Sequence, residues 1–310
     1  MRKLWIALPL ALAGCTTANG SASNSASAKA QTEMAKVLVS DQQEVQIGDQ
    51  VYAGLVQKGT RFITDPSVTG YVTQISNKLF ALANRERPGV QWRVLVIDDP
   101  ATVNAFSTPG GRLYVYSGLI NAVANDAQMA GVMGHEIGHE VARHVARQLI
   151  QTNGLQAVIN LALGKNPGLL GQLASSAASQ GTLLAFSRND ETEADEYGAR
   201  YAAAAGYDPN GLVAFFRTLQ TTEGKVPAMT KYLSDHPLTA DRITHLQRYI
   251  AANHLRGAAA GASAALAQAK GRLGGTLVSA TPASSPAPAS SPAPARQPAS
   301  APAHAGPSHH

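Results

Sequence analysis

The chain has 310 residues, 45% of them apolar, and a formal net charge of +5. This length allows one large domain or two small ones, and the apolar fraction is sufficient for a sizeable core. The weak positive charge, without a dense Lys/Arg run or interleaved aromatic residues, argues against a nucleic-acid-binding protein.

The N-terminal segment MRKLWIALPLALAGC, residues 1–15, is typical of a bacterial lipoprotein signal peptide. Two basic residues precede an apolar run that is too short to span a membrane. The segment ends in LAGC, which resembles the lipoprotein box, so we expect Cys15 to be lipidated after cleavage. The following Thr16 resembles the sorting pattern for the outer membrane. Because Cys15 is the only cysteine, no intramolecular disulfide is possible.

Composition divides the rest of the chain into three parts. Residues 16–35 are rich in Ser, Ala and Asn, which is typical of a flexible tether. Residues 256–310 form a low-complexity Ala/Pro/Ser tail, and such a composition predicts disorder. Residues 36–255 lie between them and are predicted to form one globular domain.

The first half of this domain is predicted to contain two helices and a small sheet. SDQQEVQIGDQVYAGLVQ begins with the capping residue Ser40 and has helical periodicity. TDPSVTGYVTQISNKLFALANR predicts a second helix that starts at Asp65-Pro66. VQWRVLVID predicts a strand, and VNAFSTPGGRLYVYSGL predicts a hairpin around a Pro-Gly-Gly turn.

The second half is predicted to be helical, which makes the expected fold class α+β and mainly helical. A long helix is predicted from Asn125-Asp126 to about Gln148. Residues 149–186 are apolar, but TNG and GKNPG interrupt them before any run reaches the ~18 residues of a membrane span, so this body is predicted to be soluble. Further helices are predicted from Arg188 to Ala205, in GYDPNGLVAFFRTLQ and in HPLTADRITHLQRYIAANH.

The long helix carries GVMGHEIGHEVARHVARQ, in which His135 and His139 are four residues apart. Successive helical residues are ~100° apart, so both imidazoles share one face, as two ligands of a tetrahedral zinc ion do. Glu136 lies ~100° from His135, where it can take a proton from water that the metal activates. The alternative is a surface amphipathic helix, but an apolar stripe beside the pair predicts that it faces inward.

His144 lies in the same predicted helix, about 180° from His135, and from there it cannot reach the same metal ion. The metzincin pattern also fails, because it needs a glycine and a third histidine where this chain has Ala142 and Val145. We therefore expect His144 either at the surface or in a layer behind the ligands.

A third metal ligand must come from another segment, and SRNDETEADEYGARYAAAAGYDP offers acids at a predicted helix start. Glu191 and Asp195 are four residues apart on one face, whereas Glu193 points ~200° away from Glu191. A His-His-Glu set leaves a fourth position open for water, and Asp195 can then orient a ligand histidine by a hydrogen bond. The alternative is a solvated acidic helix start.

A last motif, SDHPLTADR, contains His236 and Arg242. Pro237 disfavours helix at His236 and so holds this histidine at a loop end. Three interpretations stay open. His236 can donate a hydrogen bond to the oxyanion of the transition state, or occupy the fourth metal position and keep an enzyme latent. The third is a structural helix start, with Arg242 in a salt bridge.

In combination, H-E-x-x-H, SRNDETEAD, AGYDP and DHPLTADR resemble the HtpX and CAAX-prenyl-protease family of gluzincin zinc metallopeptidases. The likeness is greatest to its soluble periplasmic lipoprotein branch, which includes BepA-like and LoiP-like proteins. NAFSTPGGRLYVYSGL is similar to the strand pair before the zinc helix, and the resemblance covers about residues 40–250. It implies a small β-sheet beside the H-E-x-x-H helix and one zinc ion per chain. The implied site residues are the ligands His135, His139 and Glu191, the general base Glu136 and the supporting acid Asp195.

The motif and the resemblance imply a zinc metalloendopeptidase, held at the periplasmic face of the outer membrane by the lipid on Cys15. The strand edge at Asn104, Ala105 and Phe106 is expected to pair with an extended substrate segment. Such pairing selects unfolded or misassembled proteins, so the expected use is quality control in the envelope, with outer-membrane assembly machinery as a candidate partner. The alternatives are a non-hydrolytic chaperone or assembly factor for outer-membrane proteins, which would not need Glu136, and a peptidoglycan hydrolase.

Overall fold

The computed structural model describes residues 39–180, 182–222, 227–258 and 261–273, which belong to one compact unit. The predicted signal peptide with Cys15, the predicted tether and the end of the predicted tail lie outside the described residues.

The first two helices begin where the sequence predicts. Helix α1 spans Asp41–Gln57, and Ser40 caps it in a capping box with Gln43. Helix α2 spans Pro66–Glu86, and the carboxylate of Asp65 accepts hydrogen bonds from the first turn. The apolar residues that define its predicted inner face are all buried: Val68, Tyr71, Val72, Ile75 and Leu79.

One three-stranded sheet lies within the described residues, formed by β1 (Arg93–Ile97), β2 (Ala105–Thr108) and β3 (Arg112–Tyr116). The predicted hairpin is confirmed, since β2 and β3 are antiparallel and joined through Gly110 and Gly111, whose φ angles are 87° and 89°. Strand β1 pairs in parallel with β3, which places β2 at an edge of the sheet.

The H-E-x-x-H helix, α4 (Asp126–Val141), lies in the centre of the core. A short helix, α3 (Ser117–Ala122), leads from β3 towards it, and Asn125 caps α4. Every residue of α4 after the first is buried. The sheet lies beside it, because the hydroxyl of Ser107 in β2 donates to a carbonyl of α4 at 2.9 Å. The predicted class, mainly helical α+β with a small sheet beside this helix, is therefore confirmed.

Helix α4 ends earlier than predicted. The sequence predicts one helix to about Gln148, but α4 stops at Val141 and a new helix, α5, spans His144–Asn153. Arg143 between them has a left-handed backbone, with φ 57° and ψ 35°. Its buried guanidinium donates to the backbone carbonyl of Val39 at 2.6 Å. This contact with a distant part of the chain overrides local helical periodicity, which is why the sequence pattern does not reveal the break.

Helices α6 (Leu155–Ala162) and α7 (Pro167–Gln180) follow in the interrupted apolar region. Together with α1 they surround an apolar cluster on the far side of the sheet from α2. Among the described residues, no helix combines the length and the apolar character needed to cross a membrane.

The remaining helices of the described chain are α8 (Arg188–Ala204), α9 (Gly211–Thr222), α10 (Pro227–Asp235), α11 (Ala240–Ala252) and α12 (Ala264–Leu273). The sequence predicts α8, α9 and α11, each within a few residues of its observed bounds. Helix α10 was not predicted, because nine residues are too few to show a clear period.

The predicted start of the disordered tail at residue 256 is wrong for α12. This helix packs against α2 and α3, and Leu266 and Ala269 are completely buried there. Its Ala-rich composition looks like low complexity, yet the two buried residues are three apart and share one helical face. The predicted tail beyond residue 273 lies outside the described residues.

Close packing of α4 against α8 determines where the motif residues meet. A Cβ atom on Gly134 would lie 3.1 Å from the backbone of Gly198, and one on Gly138 would lie 2.6 Å from the Cβ atom of Tyr197. The absence of side chains at these two glycines lets the helix backbones approach. The acidic first half of α8 is thereby brought against the two histidines of α4.

Candidate metal centre

Four buried side chains converge where α4, α8 and the end of α10 meet. His135 and His139 come from α4, Glu191 from α8, and His236 directly follows α10. One nitrogen or oxygen atom from each of the four lies within 4.8 Å of the others. All four residues are at most 1% exposed.

The distances within this cluster define a small cage of donor atoms. The Nε2 atoms of His135 and His139 are 3.0 Å apart, and each lies 3.5 Å from an oxygen of Glu191. His236 presents Nδ1, which is 3.3 Å from His135 Nε2 and 3.1 Å from Glu191 Oε1. Imidazole nitrogens and a carboxylate are the donors that zinc prefers, and lone pairs buried this close together require a shared cation or protons. The donor set therefore fits zinc.

Asp195 and Arg242 support this cage from one side. Asp195 Oδ1 lies 2.9 Å from Nδ1 of His135, the nitrogen that points away from the cage. Arg242 donates to both oxygens of Asp195, at 2.9 Å and 2.8 Å, and its Nη1 lies 2.9 Å from Glu191 Oε2. The structure thus brings Asp195 to His135, one of the two histidines predicted to bind the metal, and places Arg242 in a buried ion pair.

Electrostatics keep Glu191 ionised. Burial alone would raise the pKa of Glu191. The charge of His236, the hydrogen bond between His236 and Glu191, and the charges of His135 and Arg242 outweigh burial and lower this pKa to about 2. Burial likewise lowers the pKa of His236, but Glu191 and Glu136 outweigh it and raise the pKa to about 9. Burial lowers the pKa of His135 and His139, so these two imidazoles stay neutral and keep lone pairs that can bind a cation.

Glu136 lies next to the cage, as the helical spacing predicts. Its Oε1 atom is 3.4 Å from Nε2 of His236, and neither atom has a hydrogen-bond partner within the described chain. Burial raises the pKa of Glu136 to about 8, against a smaller lowering by His236. A buried carboxyl group with one oxygen outside any hydrogen bond can exchange a proton with a small molecule beside the cage.

His144 lies behind His139, and the surface alternative is wrong. It is 1% exposed, and its Nδ1 atom is 2.8 Å from Nδ1 of His139. Its other nitrogen is 3.1 Å from Glu193 Oε2. The break at Arg143 explains why His144 is buried, since the 180° offset from His135 holds only for one continuous helix. His144 nevertheless lies outside the four-residue cage, as the sequence predicts.

The predicted substrate edge is present but covered. Asn104, Ala105 and Phe106 are at most 2% exposed, although β2 is an edge strand. The side chain of Asn104 accepts from the backbone N–H of Ala105 at 3.0 Å and donates to Asp235 Oδ2 at 2.7 Å. The end of α10 thus contacts the residue that directly precedes β2. Strand propensity predicts the strand but does not indicate which residues cover it.

Several residues at the site were missed by sequence reasoning. The ring of Phe186 stacks on His139 with a centroid distance of 4.0 Å, and the ring of Tyr232 lies 4.9 Å from that of His236. Tyr232 is completely buried. Phe186 directly precedes the recognised motif SRND, and Asp235 lies within DHPLTADR, so these positions are the signal that could have identified them.

Comparison with known proteins agrees with this geometry. A model of the family "Peptidase family M48" matches residues 66–250. The mitochondrial metalloendopeptidase OMA1 of Schizosaccharomyces pombe is 32% identical over 182 residues, which cover 59% of this chain and 53% of that protein. OMA1 of Arabidopsis thaliana is 40% identical over 149 residues, covering 48% of this chain and 30% of that protein.

A bacterial relative is also similar. The beta-barrel assembly-enhancing protease of Yersinia pestis is 26% identical over 211 residues, which cover 65% of this chain and 43% of that protein. The chain thus spans about half, or less, of the length of these relatives. The family match covers more than half of the chain and includes all four cage residues, which confirms the resemblance seen in the motifs: this protein belongs to peptidase family M48.

Proposed function

We propose that this protein is a zinc-dependent endopeptidase that cleaves unfolded or misassembled proteins of the bacterial envelope. The observation that carries the proposal is the buried cage of His135, His139, Glu191 and His236 with Glu136 beside it. In this proposal His135, His139 and Glu191 are the zinc ligands, and one zinc ion binds per chain.

Glu136 is the general base in this proposal. When bound, zinc would supply a Lewis acid that polarises the scissile carbonyl and acidifies the attacking water. Glu136 accepts the proton of that water and later returns it to the leaving amine. Its burial and the lack of a hydrogen bond to its Oε1 support this role, because that oxygen can accept a hydrogen bond from the attacking water.

His236 holds the enzyme latent in this proposal. Its Nδ1 lies among the other donor atoms, 3.3 Å from His135 Nε2 and 3.1 Å from Glu191 Oε1, which suits the fourth metal position better than donation to an oxyanion. The adjacent Asp235 simultaneously covers the substrate edge through Asn104. Displacement of this one segment would therefore open both the metal position and the edge. Arg242 has a supporting role, since its guanidinium is occupied by Asp195 and Glu191.

An extended substrate would pair with β2 once Asp235 has moved away. Edge pairing reads the backbone of a segment without fixed tertiary structure, so it selects unfolded or misassembled chains. The name of the Yersinia relative refers to β-barrel assembly, which supports an envelope location and outer-membrane assembly machinery as a partner. We infer that a lipid on Cys15 attaches the protein to the periplasmic face of the outer membrane. Lipid labelling of wild type and of Cys15→Ala tests this attachment, and only wild type should be labelled.

A non-hydrolytic chaperone or assembly factor is the second candidate. Such a protein could use the same fold and edge strand, but it would have no use for a buried acid beside the metal ligands. The position of Glu136 therefore favours hydrolysis.

Digestion of casein and of an unfolded outer-membrane protein by the purified full chain tests the proposal. We expect slow cleavage that a zinc chelator abolishes and added zinc restores. Protection of the unfolded protein from aggregation, without cleavage and irrespective of chelator, would favour the chaperone instead.

A further inference from the structure

The left-handed residue between α4 and α5 has a consequence for the metal centre. In one continuous helix His144 would lie ~140° around the axis from His139, too far for contact. The break at Arg143 instead turns His144 towards Nδ1 of His139, at 2.8 Å. A non-glycine residue keeps such a backbone only where its surroundings hold it there.

The surroundings of Arg143 do hold it. Its guanidinium donates to the carbonyl of Val39, lies 3.3 Å from Glu44 Oε1 and pairs with Asp41. All three partners lie just before α1 or in its first turn, so a distant segment fixes the direction of α5. Strained backbone conformations that are held in this way are concentrated at functional sites.

The contacts of His144 form a chain with one consistent arrangement of protons. His139 directs Nε2 into the cage, so its proton is on Nδ1 and is donated to Nδ1 of His144. The proton of His144 is then on Nε2 and is donated to Glu193 Oε2 at 3.1 Å.

A second metal site is the competing interpretation of these groups, since His144, Asp190 and Glu193 place donor atoms within 4.8 Å of one another. The guanidinium of Arg147 already occupies this space, because it pairs with Asp190 and lies 3.8 Å from Glu193 Oε2. A resident cation beside both carboxylates disfavours a metal ion there.

We propose that His144 is a positioning residue that fixes the ring and the tautomer of His139 towards the metal, as Asp195 does for His135. The inference rests on the proposed function, because it takes His139 to be a zinc ligand. Hydrogen bonds from outside the ligand set orient metal-bound histidines, and their loss weakens metal binding ~10–100-fold.

Two substitutions of similar polarity separate positioning from mere packing. In His144→Asn the shorter amide can reproduce Nδ1 and accept from His139, whereas in His144→Gln the longer amide reaches towards Glu193 and leaves His139 without its acceptor. We expect His144→Gln to bind zinc ~10–100-fold more weakly in chelator competition and His144→Asn to stay within ~3-fold of wild type. The visible absorption of the Co²⁺-loaded protein should change for His144→Gln alone.

His245→Gln is the matched control, because His245 also pairs with a carboxylate, Glu196 at 2.7 Å, but lies at the half-exposed surface of α11. It should bind zinc like wild type. If wild type binds one zinc ion and both variants at position 144 match it, the positioning role is wrong and the proposed function stands. Two zinc ions in wild type, with one lost in His144→Gln, would establish the second metal site instead. No zinc in wild type would overturn both proposals.

Discussion

His135, His139 and Glu191 are supplied by two helices in close contact, whereas His236 comes from the short segment after α10. Helices α4 and α8 meet backbone to backbone at Gly134 and Gly138, where no side chain separates them. The segment after α10 reaches the site through side chains: the ring of Tyr232, the carboxylate of Asp235 and the imidazole of His236.

This difference indicates which donors can leave. Separating α4 from α8 would expose a buried interface and disrupt the core, so the three proposed ligands on these helices form a permanent frame. The α10 segment is held by the buried ring of Tyr232 and by a few polar contacts, each of the latter worth ~0.5–1.5 kcal/mol net. A fourth donor attached in this way can be released while the frame stays folded, which is the behaviour expected of a latch.

The largest effect is expected from a substitution that disturbs neither the α4–α8 frame nor the α10 segment. Glu136→Gln keeps the shape of the side chain and removes the base, so we expect turnover to fall ~10²–10⁴-fold while zinc stays bound. Casein digestion and metal analysis of the same preparation measure both quantities. A zinc-loaded variant as active as wild type would rule out Glu136 as the base.

The frame itself is tested by two acids on α8. Glu191 lies in the cage and Glu193 points towards His144, so Glu191→Ala should lose zinc while Glu193→Ala retains it when zinc is in excess. Metal content after dialysis decides between them. The opposite pattern would mean that α8 presents its other face to the metal.

The close contact between α4 and α8 can be loosened directly. A Cβ atom on Gly138 would lie 2.6 Å from that of Tyr197, so Gly138→Ala should lower the free energy of unfolding by ~1–3 kcal/mol and weaken zinc binding. Gly171→Ala on α7 is the control, because beyond the neighbouring backbone of its own helix no atom lies within 4 Å of the added methyl group. Urea unfolding measures both; equal stability of the two variants would show that the close approach is dispensable.

The sequence predicts the frame formed by α4 and α8 better than it predicts the covering segment, by which we mean the end of α10 with Asp235 and His236. The spacing of His135 and His139 is set by local helix geometry, and so is that of Glu191 and Asp195. Each pair could therefore be assigned to one face without knowing the fold. That α4 and α8 contact each other could be inferred only from the family resemblance, because Gly134 and Gly138 do not indicate which helix packs against them.

The features that were missed depend on distant contacts. The helix break at Arg143 is held by residues near the start of α1, and the cover over β2 is a side-chain contact between Asn104 and Asp235. Neither leaves a periodic pattern in the local sequence. The burial of α12 was hidden for another reason, since its Ala-rich composition matches that of the predicted tail.

Removal of the fourth donor should have a smaller effect, of opposite sign. If His236 is a latch, His236→Ala opens the metal position and basal casein turnover should rise by ~5-fold or more, within the usual range of conformational coupling. The rate must be compared at equal zinc content, because His236 also contributes to the cage. A fall of ~10²-fold would favour the oxyanion donor, and an unchanged rate the structural interpretation.

The smallest effect should come from the contact between Asp235 and the edge strand. Asp235→Ala removes the acceptor for Asn104 but leaves His236 in place, so we expect basal turnover to rise ~2–10-fold, the equivalent of one net hydrogen bond. Lys231→Gln is the control, since Lys231 pairs with the other oxygen of Asp235 at 3.0 Å and does not contact Asn104. It should leave the rate unchanged.

Because Asp235 and His236 belong to one segment, the double variant Asp235→Ala/His236→Ala should be no faster than His236→Ala alone. Additive increases would instead mean that the edge strand and the metal position open independently, and that the covering segment is not a single latch.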